Sequence, residues 1–194
     1  MKLNLSSLAK LGVALSLLVN VAAAAEPAAA VNKVCPVSGK PVNPRITLAY
    51  EGRTYGFAEE ACRTKWQAAR EGSLYHKLGG KPAIDAAVEA FYVKVLADKR
   101  IKHFFEDINM DKQRRKQKEF LSAAFGGPVP WAGKDMRKAH ANLPGLNETH
   151  FNAVAENLQK TLVELKIKPE LIAQVMTIAA STRDDVLNRP KAAK

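Results

Sequence analysis

From Ser73 to about Leu187, apolar residues recur at helical spacing, and this periodicity constrains the fold more than any other feature of the chain. Glycine and proline interrupt it at Gly126-Gly127-Pro128, and the stretch 128–146 is rich enough in both that only short helical pieces fit. The pattern predicts one helix from Pro82 to about Ala97 and a short apolar turn at 101–105. It also predicts a helix capped by Asn109 or Asp111 and running to Phe125, a long helix capped by Asn147, and a last helix from Pro169 to about Leu187.

Each long helix has a predicted inner face. After Pro82 the apolar stripe consists of Ile84, Val88, Phe91 and Val95. After Asn147 it consists of Phe151, Val154, Leu158, Leu162 and Leu165, and after Pro169 of Ile172, Val175, Met176 and Ala179. The chain is therefore expected to be mainly α-helical.

Four polar residues stand on or beside these apolar faces. Tyr92 lies between Val88 and Val95, while Gln113 and Gln117 share one helix face with Phe120 and Ala124. His140 follows Met136 by four residues within the segment rich in proline and glycine. A buried polar group without a partner is costly, so together these residues suggest a buried polar ligand. Taken singly, each also fits a plainer interpretation: a core tyrosine bonded to a carbonyl, marginal glutamines on a solvated helix, and a structural histidine.

Residues 34–72 form a separate block. It opens with the turn-forming run CPVSGKPVNP, followed by strand-like runs at 46–50 and 54–57 with Glu51-Gly52-Arg53 between them, which predicts a hairpin. A helix from Glu59 to Glu71 should follow, with Cys62, Trp66 and Ala69 on one face.

The first residues look like a targeting signal. Lys2 and Lys10 precede and flank an apolar run, and small residues follow at 22–25, which predicts a secretory signal cleaved near Ala25; an uncleaved anchor is the alternative. The expected organisation is signal 1–25, linker 26–33, a small module 34–72, a helical domain 73–189 and a tail 190–194. We expect export to a bacterial periplasm, and no stable membrane insertion after cleavage. The net charge of +11 favours acidic partners of several kinds.

Residues 73 to about 187 resemble the truncated haemoglobins, most closely their first group. The resemblance rests on stretches that occur in the family's order: SLYHKLGGKPAI, FYVKVLADKRIKHFF, KQKEFLSAAFGGPVPWAGKDM, RKAH and STRDDV. It implies a shortened globin, in which two antiparallel helix pairs sandwich haem b and the helix carrying the iron ligand is about one turn long. The short helical pieces expected in 128–146 agree with that reduction.

The same resemblance implies a role for individual residues. His140 corresponds to the proximal iron ligand, and Tyr92, Gln113 and Gln117 to the distal residues that face the ligand. The haem-contacting positions are Phe105, Phe120, Met136 and Phe151, with Lys116 near a propionate. Trp131 stands where the family often has tyrosine. Three distal donors would retain O2, NO or CO strongly, which suits NO dioxygenation or peroxidase-like chemistry supported by an electron donor.

Residues 34–72 resemble the YHS family of small metal-associated modules, on Cys35-Pro36-Val37, the YEGRTYGF hairpin and the helix with Cys62. Two cysteines cannot complete a tetrahedral zinc site, so a Cys35–Cys62 disulfide, a soft-metal pair and free thiols all remain open. One alternative function is therefore an exported metal-handling or metal-sensing protein with the globin as redox partner. Another is an anionic-surface or nucleic-acid binder using Lys112–Lys118, although the export signal and the absence of interleaved aromatic residues argue against nucleic acid.

Overall fold

The computed structural model describes residues 29–190, so the predicted signal segment 1–25 and residues 191–194 of the tail lie outside the described residues. Two strands and a series of helices follow one another along the chain. They are β1 (Asn43–Tyr50), β2 (Arg53–Phe57), α1 (Glu60–Glu71), α2 (Leu74–Leu78), α3 (Gly80–Ala97), a 3₁₀ turn (Lys102–Phe105), α4 (Met110–Ala124), α5 (Met136–His140), α6 (Glu148–Glu164), α7 (Pro169–Ser181) and α8 (Arg183–Val186). Among these residues, none of the helices is long and apolar enough to cross a bilayer.

The helical part is a sandwich of two helix pairs. Helix α3 packs on α4 and also on α6, and α6 packs on α7, so the α3–α4 pair faces the α6–α7 pair. Between them lies a core that includes Ile84, Val88, Val95, Leu162 and Val175, all buried. This arrangement confirms the predicted two-on-two helical fold, with the small hairpin-plus-helix unit preceding it.

Side-chain caps define where the long helices begin. The Asn109 side chain accepts from the Lys112 amide at 2.9 Å, so Asn109 rather than Asp111 is the cap of α4. At α6, the Asn147 side chain accepts from Thr149 N, and His150 Nδ1 accepts from Asn147 N at 3.2 Å, which completes a reciprocal cap. Both caps satisfy amide groups that the first helical turn leaves unpaired.

The sequence predicted one continuous last helix. This prediction is wrong, because the helix breaks at Thr182 into α7 and α8. The Ser181 hydroxyl donates to Ile178 O and the Thr182 hydroxyl to Ala179 O, both at 2.7 Å. Hydroxyls that bond to the backbone of the preceding turn compete with helix propagation and bend the chain. Helix α3 begins at Gly80 rather than Pro82, two residues earlier than predicted.

The inner face of α6 also differs from the prediction. Val154 and Leu165 are 36% and 38% exposed, whereas Asn157 and Thr161 are buried. Thr161 Oγ1 donates to Asn157 O at 2.8 Å, and Asn157 Nδ2 donates to Asp98 Oδ2 at 2.8 Å. Because both polar side chains find partners, the face turns towards them and away from the flanking apolar positions. On α1, Ala69 is likewise exposed, although Cys62 and Trp66 are buried as predicted.

The hairpin β1–β2 is antiparallel and closes through Glu51-Gly52, with Tyr50 opposite Arg53. Glu51 and Gly52 have φ of 49° and 73°, the left-handed values that a two-residue primed turn requires. The hairpin and α1 enclose a second, small core of Cys35, Tyr55, Phe57, Cys62 and Trp66. The turn reaches the helical sandwich, since Tyr75 Oη donates to Glu51 Oε2 at 2.7 Å.

Candidate functional site

Tyr92 and Gln113 form the centre of the candidate site, between α3 and α4. Tyr92 is 2% exposed, and Gln113 Nε2 donates to its hydroxyl oxygen at 3.0 Å. Because the oxygen accepts from the amide, the phenol's own hydrogen is left to donate in another direction. Burial raises the pKa of Tyr92, while the Gln113 hydrogen bond and the charge of Arg114 act in the opposite sense. The net shift is upward, so the side chain stays neutral and able to donate at ordinary pH.

Aromatic side chains surround this pair. The rings of Phe91 and Phe105 stand edge-on to Tyr92, with centroid distances of 5.2 and 5.9 Å. Further along α4, Phe120 makes an edge contact of 5.7 Å with Trp131, the residue that starts the approach to α5. Gln117 lies between the two groups on the same face and is half-buried. The structure therefore lines one side of α4 with two amides, a phenol and aromatic side chains. Of these, the helical spacing predicted only that Gln113, Gln117 and Phe120 share one face of α4.

The opposite side of α4 is charged. Lys112, Arg115, Lys116 and Glu119 are exposed, whereas Glu89 of α3 pairs with Arg114 at 3.2 Å and with Lys118 at 2.7 Å. A cleft of about 280 Å³ lies on this charged side, lined by Lys81, Asp85, Glu89, Asp111, Arg114, Arg115 and Lys118. Its charges bind mostly one another, and it lies away from the aromatic face. We therefore place the candidate site on the Gln113–Gln117 side.

His140 ends the short helix α5 and is half-buried. Its Nδ1 lies 2.7 Å from Met136 O. Since a carbonyl oxygen only accepts, Nδ1 carries the proton, and the lone pair of Nε2 is available as a ligand. The orienting bond comes from one turn earlier in the same helix, so α5 by itself both presents the imidazole and sets its tautomer.

A network that the sequence did not indicate holds α5 in place. Arg137 donates to Asp185 Oδ1 of α8 through Nε at 3.0 Å and Nη2 at 2.8 Å, and to Arg189 O at 2.8 Å. Arg183 pairs with Glu148 of α6, and its guanidinium lies 4.6 Å from the ring centre of Phe151. The only available signal was the acidic pair after Arg183, and nothing in the linear sequence connected it to Arg137. These contacts tie the His140 helix to α6 and α8.

These residues fit a haem. The donor set is one neutral imidazole with a free Nε2, which is the usual axial ligand of five-coordinate haem iron. Neither α4 nor α5 contains a fully buried residue, so apolar side chains such as Phe120 and Met136 keep accessible surface for a flat apolar group. Phe151 is 7% exposed and lies under the Arg183 guanidinium rather than in the open. Lys116 is exposed and lies on the charged side of α4, so its contact with a haem propionate stays a prediction.

Cys35 and Cys62, the second predicted site, come together in the small core but remain free thiols. The two cysteines form no disulfide here, and the Cys62 thiol donates to Glu59 Oε1 at 3.5 Å. Within residues 29–190 no group of three or more His, Cys, Asp or Glu side chains could hold a metal ion. His76 and His103 are exposed.

Comparison with known proteins agrees with this architecture. The family model described as bacterial-like globin matches residues 73–188. The group 1 truncated hemoglobin GlbN of Synechocystis sp. is 51% identical over 122 residues, covering 60% of this chain and 98% of the relative. The group 1 truncated hemoglobin LI410 of Chlamydomonas moewusii is 49% identical over 120 residues, covering 61% of this chain and 70% of the relative.

Solved structures are similar over the same part. The 2/2 hemoglobin of Synechococcus sp. PCC 7002, in the cyanomet state with covalently attached heme, superimposes with a TM-score of 0.60 at 50% identity and covers 61% of this chain and 100% of its own. The truncated hemoglobin of Tetrahymena pyriformis, Fe(III) form, gives 0.56 at 44% identity, with 59% and 97% covered. A helical sandwich that presents an imidazole with a free Nε2 and a buried tyrosine–glutamine pair is a haem-protein architecture. This chain belongs to the bacterial-like globin family, as a group 1 truncated haemoglobin, and haem is confirmed as its cofactor.

Proposed function

We propose that this globin binds O2 and related diatomic ligands on the side of the haem facing α3 and α4, and retains them through hydrogen bonds from Tyr92, Gln113 and Gln117. The observation that carries the proposal is the direction of the Gln113–Tyr92 bond: the amide donates to the phenol oxygen at 3.0 Å. The Tyr92 hydroxyl hydrogen is then free to donate to another group. A diatomic ligand bound between α3 and α4 is the acceptor that we propose for it.

His140 would hold the haem iron in this proposal. The haem would supply an iron able to bind a diatomic ligand. His140 contributes a neutral Nε2, and Met136 O keeps the other nitrogen protonated at 2.7 Å. The hydrogen bond to that carbonyl also fixes the ring orientation, and it raises the basicity of Nε2. Arg137, bonded to Asp185 at 2.8 Å, positions the helix that presents the ring.

The relatives support the choice of distal residues. The truncated hemoglobin of Tetrahymena pyriformis has been crystallised with single substitutions at one tyrosine and two glutamines, spaced by 21 and 4 positions in its chain. Tyr92, Gln113 and Gln117 have the same spacing here. We propose that these three residues take the equivalent distal place. Phe105 and Phe120 would form the aromatic walls of the haem pocket, and Lys116 would bind a haem propionate.

Three donors around one ligand suit retention and redox turnover better than delivery. Each hydrogen bond to a ligand with developing negative charge stabilises it by about 1.5–3 kcal/mol in a site of low dielectric. Oxidation of NO to nitrate is the reaction that we favour. It consumes one NO, one O2 and one electron, so a reductase-class donor must return the iron to the ferrous state after each turnover.

The test is the absorption spectrum of the purified full chain, ferric and then reduced with and without CO, for wild type and His140→Ala. We expect a sharp haem band in wild type, and in the variant a loss that added imidazole restores. His103→Ala is the matched control, since His103 is exposed and should leave the spectrum unchanged. An unaltered ferrous spectrum in His140→Ala would exclude His140 as the ligand.

A further inference from the structure

Cys35 and Cys62 lie side by side in the small core formed by the hairpin and α1, outside the globin part of the chain. Their side chains are 1% and 5% exposed, yet both are free thiols. Their surroundings differ in a way that favours the thiolate at one cysteine and the protonated thiol at the other. Neither cysteine takes part in the haem site.

Cys35 is held in a setting that favours its thiolate. Burial raises the pKa of Cys35, but hydrogen bonds from the Ser38 hydroxyl and from the backbone amides of Ala58, Ser38 and Val37 outweigh it and lower the pKa to about 6. Several amides converging on one atom form an anion-binding nest. The loop that supplies them is closed by Cys35 N to Lys40 O at 2.8 Å and by Gly39 N to Cys35 O at 3.0 Å.

Cys62 is held in the protonated form. Burial raises its pKa, and so do its hydrogen bond to Cys35 and that to Glu59. Its thiol lies 3.5 Å from Glu59 Oε1, and Glu59 itself is exposed to solvent. The pair therefore consists of one sulfur prepared to attack and a neighbouring sulfur with a carboxylate beside it that can take the proton away.

We propose that Cys35 and Cys62 form a redox-active dithiol that exchanges with a small peptide disulfide of the glutathione class, Cys35 attacking first and Cys62 resolving. Only the thiolate is nucleophilic in thiol–disulfide exchange, so the asymmetry of the pair sets the order of the two steps. Access requires the loop 36–40 to move away from the Cys35 sulfur, and Ser38, whose hydroxyl bonds to that sulfur, lies exposed in this loop.

The chemistry balances as follows. The Cys35 thiolate attacks one sulfur of the external disulfide, breaks its S–S bond, forms a mixed disulfide and releases one thiolate. Cys62 then loses its proton to solvent by way of Glu59 and attacks the Cys35 sulfur, which releases the second thiolate. The protein dithiol is oxidised by two electrons to a Cys35–Cys62 disulfide, and the external disulfide is reduced to two thiols.

The experiment titrates the full-length holoprotein in buffers of oxidised and reduced glutathione, traps free thiols by alkylation, and counts the modified cysteines by mass spectrometry. As the buffer becomes more oxidising, we expect both cysteines to become resistant to alkylation together, because they form a disulfide. In the fully reduced protein near neutral pH, Cys35 should alkylate roughly 10-fold or more faster than Cys62, because thiolate fraction dominates the rate.

Single variants test the order of attack. Cys62→Ser should accumulate one glutathione on Cys35, whereas Cys35→Ser should leave Cys62 largely unmodified under the same conditions. Circular dichroism checks that each variant remains folded, because the haem band reports only on the globin part of the chain. Adducts that form equally in both variants would overturn the assigned order.

Two outcomes with wild type alone would overturn the proposal, so it does not depend on how the variants fold. If both cysteines stay oxidised even in excess reduced glutathione, the pair is a structural disulfide. If both stay reduced in oxidised glutathione, they are inert buried thiols. Neither result bears on His140 or the haem, so failure here is distinct from failure of the proposed globin function.

Discussion

At the scale of single residues, Tyr92 shows how a polar group in an apolar core indicates function. Its ring packs with Phe91 and Phe105, while its hydroxyl meets Gln113 at 3.0 Å. The plainer interpretation of a core tyrosine bonded to a backbone carbonyl is wrong, because the partner is a side chain on a different helix. A tyrosine held by an amide donor keeps its own hydrogen for something else.

Replacing Tyr92 by Phe removes that hydrogen and keeps the ring. We expect the O2 dissociation rate to rise roughly 10- to 100-fold, which corresponds to about 1.5–3 kcal/mol of lost hydrogen bonding. Stopped-flow measurement of O2 release would check this. Tyr50→Phe, in the hairpin module, is the matched control and should leave the rate unchanged; an equal rate in Tyr92→Phe and wild type would contradict the assigned role.

Tyr92 also predicts a pH dependence. Burial raises its pKa above the ordinary tyrosine value, so the neutral, donating form persists below that raised pKa and is lost only as the pH rises through it. The O2 dissociation rate of wild type should therefore stay flat from roughly pH 6 to pH 10 and increase only beyond. The O2 dissociation rate of Tyr92→Phe divided by that of wild type, measured across this pH range, should decrease only at the alkaline end. A rise centred well below pH 10 would contradict the raised pKa.

At the scale of elements, the end of α3 is joined to α6 by one carboxylate. Asp98 accepts from Asn157 Nδ2 at 2.8 Å and from Arg100 Nη2 at 2.8 Å. Its side chain is 13% exposed, and Asn157 is 5% exposed. The Arg100 hydrogen bond, against the opposing effect of burial and together with Asn157, holds the pKa of Asp98 well below its usual range.

Asp98→Ala should destabilise the protein by about 1–3 kcal/mol, because the buried Asn157 amide loses its acceptor. Chemical denaturation followed by circular dichroism measures the change. Asp107→Ala, at an exposed position, is the control and should stay within about 0.5 kcal/mol of wild type. Since the folded pKa is depressed, the stabilisation is present above the unfolded pKa of about 4 and is lost as the pH falls below it. If the free energy of unfolding fell no more with decreasing pH in wild type than in Asp98→Ala, this prediction would be contradicted.

Helix α5 shows what a short element needs from its neighbours. A single helical turn is not stable alone in water, so His140 depends on contacts from elsewhere in the chain. Asp135 caps the helix by accepting from the Lys138 amide at 2.8 Å, and Arg137 anchors it to Asp185. The cap is local, whereas the anchor comes from α8, far along the chain.

At the scale of the whole molecule, the hairpin turn is docked on the helical sandwich through Glu51. Its carboxylate accepts from Tyr75 Oη at 2.7 Å and from Lys81 N at 3.4 Å. Glu51 has a φ of 49°, a conformation unfavourable for a residue with a side chain, and these bonds offset that cost. Arg70 adds a second connection, donating to Gly126 O at 3.1 Å.

Gly80 tests this docking. A Cβ at Gly80 would lie 2.7 Å from Glu51 Oε1, so Gly80→Ala should push the carboxylate away and break its bond to Tyr75. Gly145→Ala is the matched control: both glycines have positive φ, 66° and 77°, but a Cβ at Gly145 meets nothing within 4 Å. We expect Gly80→Ala to cost about 1 kcal/mol more than Gly145→Ala in denaturation, and to speed hydrogen exchange at the hairpin turn. Equal costs would show that Glu51 does not hold the module in place.

Residues 1–25 are predicted from the sequence to be a secretory signal that leads to export to a periplasm. The domain boundaries and the likeness of residues 34–72 to YHS modules also stay predictions. The dithiol proposed for Cys35 and Cys62 would suit an exported protein, since thiols outside the cytoplasm meet disulfides routinely. Its glutathione titration is informative wherever the protein resides.

The sequence by itself determined the helical class, the cap at Asn147, the hairpin, and the alignment of Gln113 and Gln117 on one face, and it narrowed the cap of α4 to Asn109 or Asp111. These follow from interactions between residues close in the chain, namely periodicity, capping and turn geometry, together with motifs distinctive enough to indicate the family. Only the tertiary structure decided that Gln113 bonds Tyr92, that Asn157 and Thr161 turn inward on α6, that Arg137 reaches Asp185, and that Cys35 and Cys62 remain thiols with unlike surroundings. Each of those outcomes depends on which distant group satisfies a buried donor or acceptor, and linear spacing carries no information about that partner.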